Sequence, residues 1–238
     1  HICNTNPNLN WEMNRSYDLA GNVIGASINY TNAQGQLMQA QNHNLSRGEV
    51  FAVQPLRDKY GRNVIRSNVA PLNTSTSCYN PNFFVDVNGN PYSYSNFDDA
   101  KLNNPDPVGN SLAGTLGHYY SNNNTKDPYQ ATTQYPYSRA YFHPRLNQQT
   151  RVASAGNSKR MGSGNEAQMY SIPAKGELYY LFGYAHGWTV NANGNSMTNV
   201  GYQVNKTITI DADGKEAVLF IDRDGKKVAS CLSGSVNG

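Results

Sequence analysis

Lys206-Thr207-Ile208-Thr209-Ile210-Asp211-Ala212-Asp213-Gly214-Lys215 leads into Ala217-Val218-Leu219-Phe220-Ile221, and then into Asp222-Arg223-Asp224-Gly225-Lys226-Lys227-Val228-Ala229. The opening residues alternate polar and apolar, the period of a strand with one buried face. The quartets Asp211–Gly214 and Asp222–Gly225 have the chemistry of a chain reversal. A type I turn takes Asp or Asn first, where the side chain caps the turn's own N–H groups. It takes Gly fourth, where the backbone needs positive φ. A type I turn closed by such a glycine makes a three-residue hairpin loop with a bulge. The stretch therefore predicts strand, turn, strand, turn, strand: an antiparallel meander.

Working outward, the same quartet recurs as Asp18-Leu19-Ala20-Gly21 and Asp58-Lys59-Tyr60-Gly61. Weaker forms are Asn32-Ala33-Gln34-Gly35, Asp86-Val87-Asn88-Gly89 and Asn191-Ala192-Asn193-Gly194. Val23 to Tyr30 connects two of these turns as a strand-like run. A hairpin cannot bury its apolar face alone, so a recurring hairpin implies neighbours that cover it. The fold class expected is all-β, with antiparallel hairpins and meanders forming an extended or wrapped sheet, and long irregular loops rich in Asn, Pro and Tyr. Asp18, Gly21, Asp58, Gly61, Asp211, Gly214, Asp222 and Gly225 are assigned as structural turn residues.

Composition agrees. Charged residues are 15% of the 238 and hydrophobic residues 38%, while Tyr alone numbers 17. Charge normally sits near roughly a quarter of positions. A chain polar through Asn, Ser and Thr rather than through charge favours turns and strands over helices. The net charge is +3 with no Lys/Arg run, which argues against nucleic-acid binding. No apolar run approaches the ~20 residues of a membrane-spanning helix, and membrane insertion is not expected. The chain opens on His1 rather than Met, which reads as a processed or trimmed product. Cys3, Cys78 and Cys231 lack metal-knuckle or redox spacing. One disulfide with a spare thiol and three free packed thiols are both open.

The expected organisation has no sharp boundaries. Residues 1–70 read as β-hairpins, 71–170 as an irregular, loop-rich insertion and 171–238 as the β-meander. Within the insertion, Ser95 to Leu102 is predicted to form one short helix, with Ser95 or Asn96 as its N-cap and acids in its first turn.

Candidate chemistry is sparse. Asp211-Ala212-Asp213-Gly214 and Asp222-Arg223-Asp224-Gly225 imitate the start of a calcium loop. Lys215 and Lys226 follow the glycine, however, and no terminal Glu completes the ligand set, so turns are the better reading. No nucleophile elbow and no His-Glu-x-x-His motif occurs. His43, His118, His143 and His186 lie in unrelated segments. Asp98-Asp99 and Glu12 with Asp18 are carboxylate pairs only by proximity in sequence. No catalytic residue, cofactor or metal ligand is assigned. Trp11 and Trp188, with Tyr92-Ser93-Tyr94, Tyr119-Tyr120 and Tyr135-Pro136-Tyr137, have side chains that stack on sugars or line interfaces, and equally suit strand packing.

Several of these segments together resemble a known family. Tyr17 to Ile24 is similar to the Tyr-Asp repeat of bacterial Rhs proteins, and Tyr30 to Leu37 is a weaker copy. Tyr135 to Phe142, Arg145 to Val152, Ala155-Gly156-Asn157 and Gly162-Ser163-Gly164 resemble the region preceding the repeat array of those proteins. Ser154-Ala155-Gly156 stands where that region has Pro-Gly. The resemblance implies a non-catalytic shell segment of a large secreted or cell-surface protein, of the polymorphic-toxin kind. In that family, strands wind into a hollow cocoon around a C-terminal toxin domain. The implied partners are the rest of the same polypeptide and a toxin cargo. The alternative is a cell-surface module binding a glycan or a protein.

Overall fold

The computed structural model describes residues 8–174, 189–190, 196–197 and 204–233. The regular structure is almost entirely β, and the chain forms two compact units, residues 1–140 with 153–164, and residues 141–152 with 165–238.

In the first unit, strands β1 (Asn10–Tyr17), β2 (Val23–Thr31), β3 (Leu37–Asn44), β4 (Glu49–Val53) and β7 (Ala70–Pro71) form an antiparallel sheet in the order β1-β2-β3-β4-β7. Strands β5 (Pro55–Arg57) and β6 (Asn63–Ser67) pair as a hairpin, and β6 also pairs with β8 (Tyr137–Phe142). The alternation along β2 to β4 sorts the two faces. Tyr30 lies opposite Trp11 and Gln39, while Ile28 lies opposite Met13 and Gln41, with Ala52 beyond Gln41. Ile28, Tyr30, Val50 and Ala52 are all buried. Glu12, Asn14 and Ser16 lie on the other face of β1 and are exposed.

Residues 72–136 contain little regular structure, yet they carry much of this unit's core. Phe83, Phe84 and Phe97 are fully buried, and Tyr92 is nearly so. The Tyr92 ring stacks on Phe84 at 4.7 Å and runs parallel to Phe97 at 6.2 Å. Tyr137 of β8 closes against Phe84 at 5.6 Å. Isolated bridges Val85↔Pro91 and Asp86↔Val108 hold the backbone. The helix expected over Ser95–Leu102 is instead a pair of 3-10 turns, Tyr94–Asn96 and Asp99–Lys101. Their N-cap is two or three residues earlier than expected, since Ser93 takes that place and its N–H donates to the Asn96 side chain. The one α-helical turn among the described residues is α1 (Leu116–Tyr119), capped by the Thr115 hydroxyl.

The second unit is a meander. Strand β9 (Gln149–Ala153) pairs with β10 (Ala167–Pro173). The order then runs β10-β13-β14-β15 through β13 (Val204–Ile210), β14 (Glu216–Asp222) and β15 (Lys227–Ser233). Strands β11 (Thr189–Val190) and β12 (Ser196–Met197) form a separate antiparallel pair. One cross-strand row is Tyr170, Ile208, Val218 and Cys231, and the adjacent row on the opposite face is Met169, Thr209, Ala217 and Leu232. Both faces thus carry apolar side chains. Phe220, Val204 and Ala174 form a small buried cluster, with Val218, Val228 and Ala229 packed against it.

Two features differ from the sequence reading. Residues 131–170, expected to be irregular, contain β8, β9 and the start of β10. Arg139 hides the alternation of β8, since a guanidinium occupies a core position. It is buried because it donates to the carbonyls of Leu102 and Phe97 and sits over the Phe97 ring. The second unit also begins before residue 171, because Val152 pairs with Ala167 and brings β9 into the meander.

Candidate functional site

The acid-to-glycine quartets share one geometry. In Asp18–Gly21, Asn32–Gly35, Asp58–Gly61, Asp86–Gly89, Asp211–Gly214 and Asp222–Gly225, the glycine N–H donates to the carbonyl of the first residue. The first residue's own N–H donates to the carbonyl four residues on. Its side-chain Oδ1 accepts from the N–H groups two and four residues ahead, at 2.8–3.1 Å. The glycines all take positive φ, from 72° to 85°. The chemistry at these carboxylates is therefore backbone capping. At Asp18 the hydrogen bonds, led by the Asn22 side chain, hold the carboxyl below its usual range. Asp58 and Asp222 are buried while the other first residues are not. Asn191–Gly194 lies outside the described residues.

The aromatic candidates separate by position. Tyr92, Tyr135 and Tyr137 are core side chains. The Tyr92 hydroxyl donates to the Asp106 carbonyl at 2.6 Å, and burial pushes its phenol well above the ordinary range. Burial likewise pushes Tyr137 up to about 12. Tyr119 and Tyr120 pack edge to face, with their hydroxyls donating to Asp127 and to the Val69 carbonyl. Tyr94 is half exposed. Trp11 is 43% exposed on the outermost strand β1, opposite Tyr30. Trp188 lies outside the described residues.

Among the described residues, the titratable candidates do not converge. His43 lies on β3, opposite Ala26 and Val50. His118 lies in α1. His143 Nδ1 accepts from the N–H groups of Arg145 and Leu146, capping a turn. His186 lies outside the described residues. Glu12 lies within β1, whereas Asp18 is spent on the turn beyond its end. Asp98 and Asp99 are neighbours at the start of the second 3-10 turn. Among the described residues, no group of three or more His, Cys, Asp or Glu side chains gathers as metal ligands would. Cys78 is disulfide-bonded, and Cys231 is a free, exposed thiol.

Three arrangements escape the sequence reading. The first is a buried glutamine network. Gln39 donates to Gln54 Oε1 at 3.2 Å and to the Asn80 carbonyl at 2.9 Å, and its own Oε1 accepts from Asn80 N and Gln41 Nε2. Gln41 also donates to the Cys78 carbonyl at 2.6 Å, and the Tyr30 hydroxyl donates to the Ser77 carbonyl at 2.7 Å. Together these side chains tie residues 77–80 to the sheet. The second is an apolar groove of about 400 Å³ in the second unit, whose walls include Val152, Met169, Ala217 and Leu232. The third is a polar groove of about 390 Å³ in the first unit, lined by Asn110, Tyr120, Asn122, Thr132 and Asn157, with Gly117 among the residues around it. The Ser121-Asn122-Asn123-Asn124 run signals the loop that carries the third. Nothing in the sequence signals that Asn157 closes it from the far side.

The geometry thus defines an all-β protein of capped hairpins, without a gathered catalytic centre among the described residues. No protein-family model matches the chain, and no curated protein matches it either.

Proposed function

We propose that this chain is a non-catalytic scaffold, a shell-forming β segment of an Rhs-type protein at the cell surface or outside the cell. In that role it is continued on its edges and faces by the rest of its polypeptide, which encloses a C-terminal cargo. One observation carries the reading: a single reversal, with the same cap and the same left-handed glycine, is reused at hairpin after hairpin. A module repeated this regularly serves the propagation of sheet rather than a unique site. The edges support it. Strands β1 and β15 end their strand orders, and β1 is exposed along nearly its whole length. Such edges are templates for further strands. The apolar residues on both faces of the second unit, with Leu232 85% exposed, fit a sheet that is covered on both sides in its full setting.

Hydrogen exchange tests the proposal. The outward N–H groups of β1 and β15 should exchange rapidly in the isolated 238-residue chain and slowly in the longer repeat-bearing polypeptide that this reading requires. Equal rates in both would remove the scaffold reading. So would a gene encoding no flanking β repeats.

A further inference from the structure

We infer that the polar groove of the first unit is a binding site for a neutral carbohydrate. The inference goes beyond the scaffold role and stands or falls independently of it. No Asp, Glu, Lys, Arg or His is among the residues that line the groove. A phosphate, a uronic acid or a cation finds no charge partner there. What the lining offers is side-chain amide and hydroxyl groups, the complement of the hydroxyls of a neutral sugar.

Several of these groups are unspent. Asn157 Oδ1 is occupied, accepting from the Thr133 hydroxyl at 3.0 Å and from Gln134 N at 2.9 Å. Those bonds fix the orientation of the amide, and its NH2 donates to none of the described residues. Asn123 Nδ2 is occupied by the Asn110 carbonyl at 3.0 Å, which leaves Asn123 Oδ1 as an acceptor. Asn122 and Thr132 are exposed, and their side chains make no hydrogen bond to the described residues. The groove therefore offers both donors and acceptors, and the Asn157 amide is held in place by the protein itself. The half-buried Tyr120 supplies a π surface for the C–H face of a sugar ring, and its hydroxyl is anchored on the Val69 carbonyl at 2.9 Å.

The groove is also built rather than accidental. A Cβ at Gly117 would lie 2.2 Å from the Gly109 carbonyl oxygen, and one at Gly109 would lie 2.0 Å from the Asp86 carbonyl oxygen. Backbone segments stack this closely only through glycine. The α1 side of the groove is thus braced against the chain beneath it, and the position of the polar groups does not depend on long side chains. A volume of about 390 Å³ accommodates a mono- or disaccharide. A peptide is the weaker fit, since peptides are held by a sheet edge or by apolar pockets for alternate side chains.

The test is an array of neutral oligosaccharides, their uronic-acid counterparts and neutral Ser/Gly peptides, followed by titration calorimetry with the best-bound member. Neutral sugars should bind, and acidic sugars and peptides should not. Asn157→Asp keeps the structural acceptor and deletes the donors, while Asn122→Ala removes a side chain with no structural bond. Each should weaken binding roughly three- to tenfold with an unchanged thermal melt. Trp11→Ala, on the outer strand, should leave affinity unchanged. Failure of every neutral sugar to bind would overturn the inference, as would preference for an acidic sugar or a peptide. Unchanged affinity in folded Asn157→Asp and Asn122→Ala, or loss of binding in Trp11→Ala, would do the same.

Discussion

Arg62 Nε donates to Asp58 Oδ2 at 2.7 Å, and Arg62 Nη2 lies 2.6 Å from the same oxygen. The other oxygen of that carboxylate is already shared by the N–H groups of Tyr60 and Arg62. The Arg62 guanidinium also sits 5.0 Å from the centre of the Tyr60 ring, so one hairpin loop is closed by capping, an ion pair and a cation–π contact at once.

This predicts unequal worth for turns of identical backbone geometry. Asp58 is buried, so Asp58→Ala takes the capping acceptor from the N–H groups of Tyr60 and Arg62, and the carboxylate from the Arg62 guanidinium, at a part-buried turn. The expected loss is about 1–3 kcal/mol, read as a shift of the urea midpoint. Asp18→Ala, at a turn open to water, should shift the midpoint less. Equal shifts would show that burial does not set the strength of the cap.

A second contrast is between glycines. Gly61 has φ of +80° and open space where a Cβ would go, so Gly61→Ala carries only the conformational penalty of about 1–2 kcal/mol. Gly162 has φ of +81°, and a Cβ there would lie 2.0 Å from the Asn103 carbonyl oxygen. Gly162→Ala should therefore lower Tm more than Gly61→Ala. A smaller drop would mean that the close approach of residues 103 and 162 is not required for folding.

Tyr137 predicts alkaline instability. Burial raises its phenol from 10.0 to about 12, so between those values the folded state holds a proton that the unfolded state has released. Stability is complete below about pH 10 and falls as pH rises toward 12. Tyr92, 3.4 Å away hydroxyl to hydroxyl, is shifted in the same direction by the same burial. Tyr137→Phe should flatten the decline in denaturation profiles, and tyrosinate absorbance should show a late-titrating class of phenols that merges with the rest on unfolding. A decline of unchanged slope would locate the alkaline sensitivity elsewhere.

The glutamine network predicts local loosening. Gln39→Leu conserves bulk but leaves Asn80 and Gln54 without their side-chain partners. About 1–3 kcal/mol is expected for each buried polar group so stranded. Limited proteolysis should then cut near residues 77–82 before the sheet unfolds. Cleavage unchanged from wild type would show that the Gln39 bonds are not needed, the segment being held by the Cys78 disulfide and by the bonds from Gln41 and Tyr30 to the Cys78 and Ser77 carbonyls.

Much of the architecture was legible because its signals are local. Asp or Asn capping two N–H groups, and Gly taking positive φ, are interactions within five residues, so Asp18–Gly21 and Asp211–Gly214 could be read as reversals. The strands between them follow from period-two alternation in segments such as Lys206–Ile210. Strand β8 escaped because Arg139 occupies a core position, and only its contacts with Phe97 and Leu102, far away in sequence, permit that. The polar groove escaped for the same reason. Asn157 meets Thr133 and Gln134 across 23–24 positions of chain.

The amino-acid order alone thus determined an antiparallel β protein and where its chain turns, since turns and strand periodicity are short-range properties. It left undecided which tyrosines are core and which amides are spent or free. Those depend on long-range contacts: Tyr92 against Phe84 and Tyr137, and Gln39 against Asn80. Burial and hydrogen-bond pairing are properties of neighbours in space, and only the folded chain says who those neighbours are.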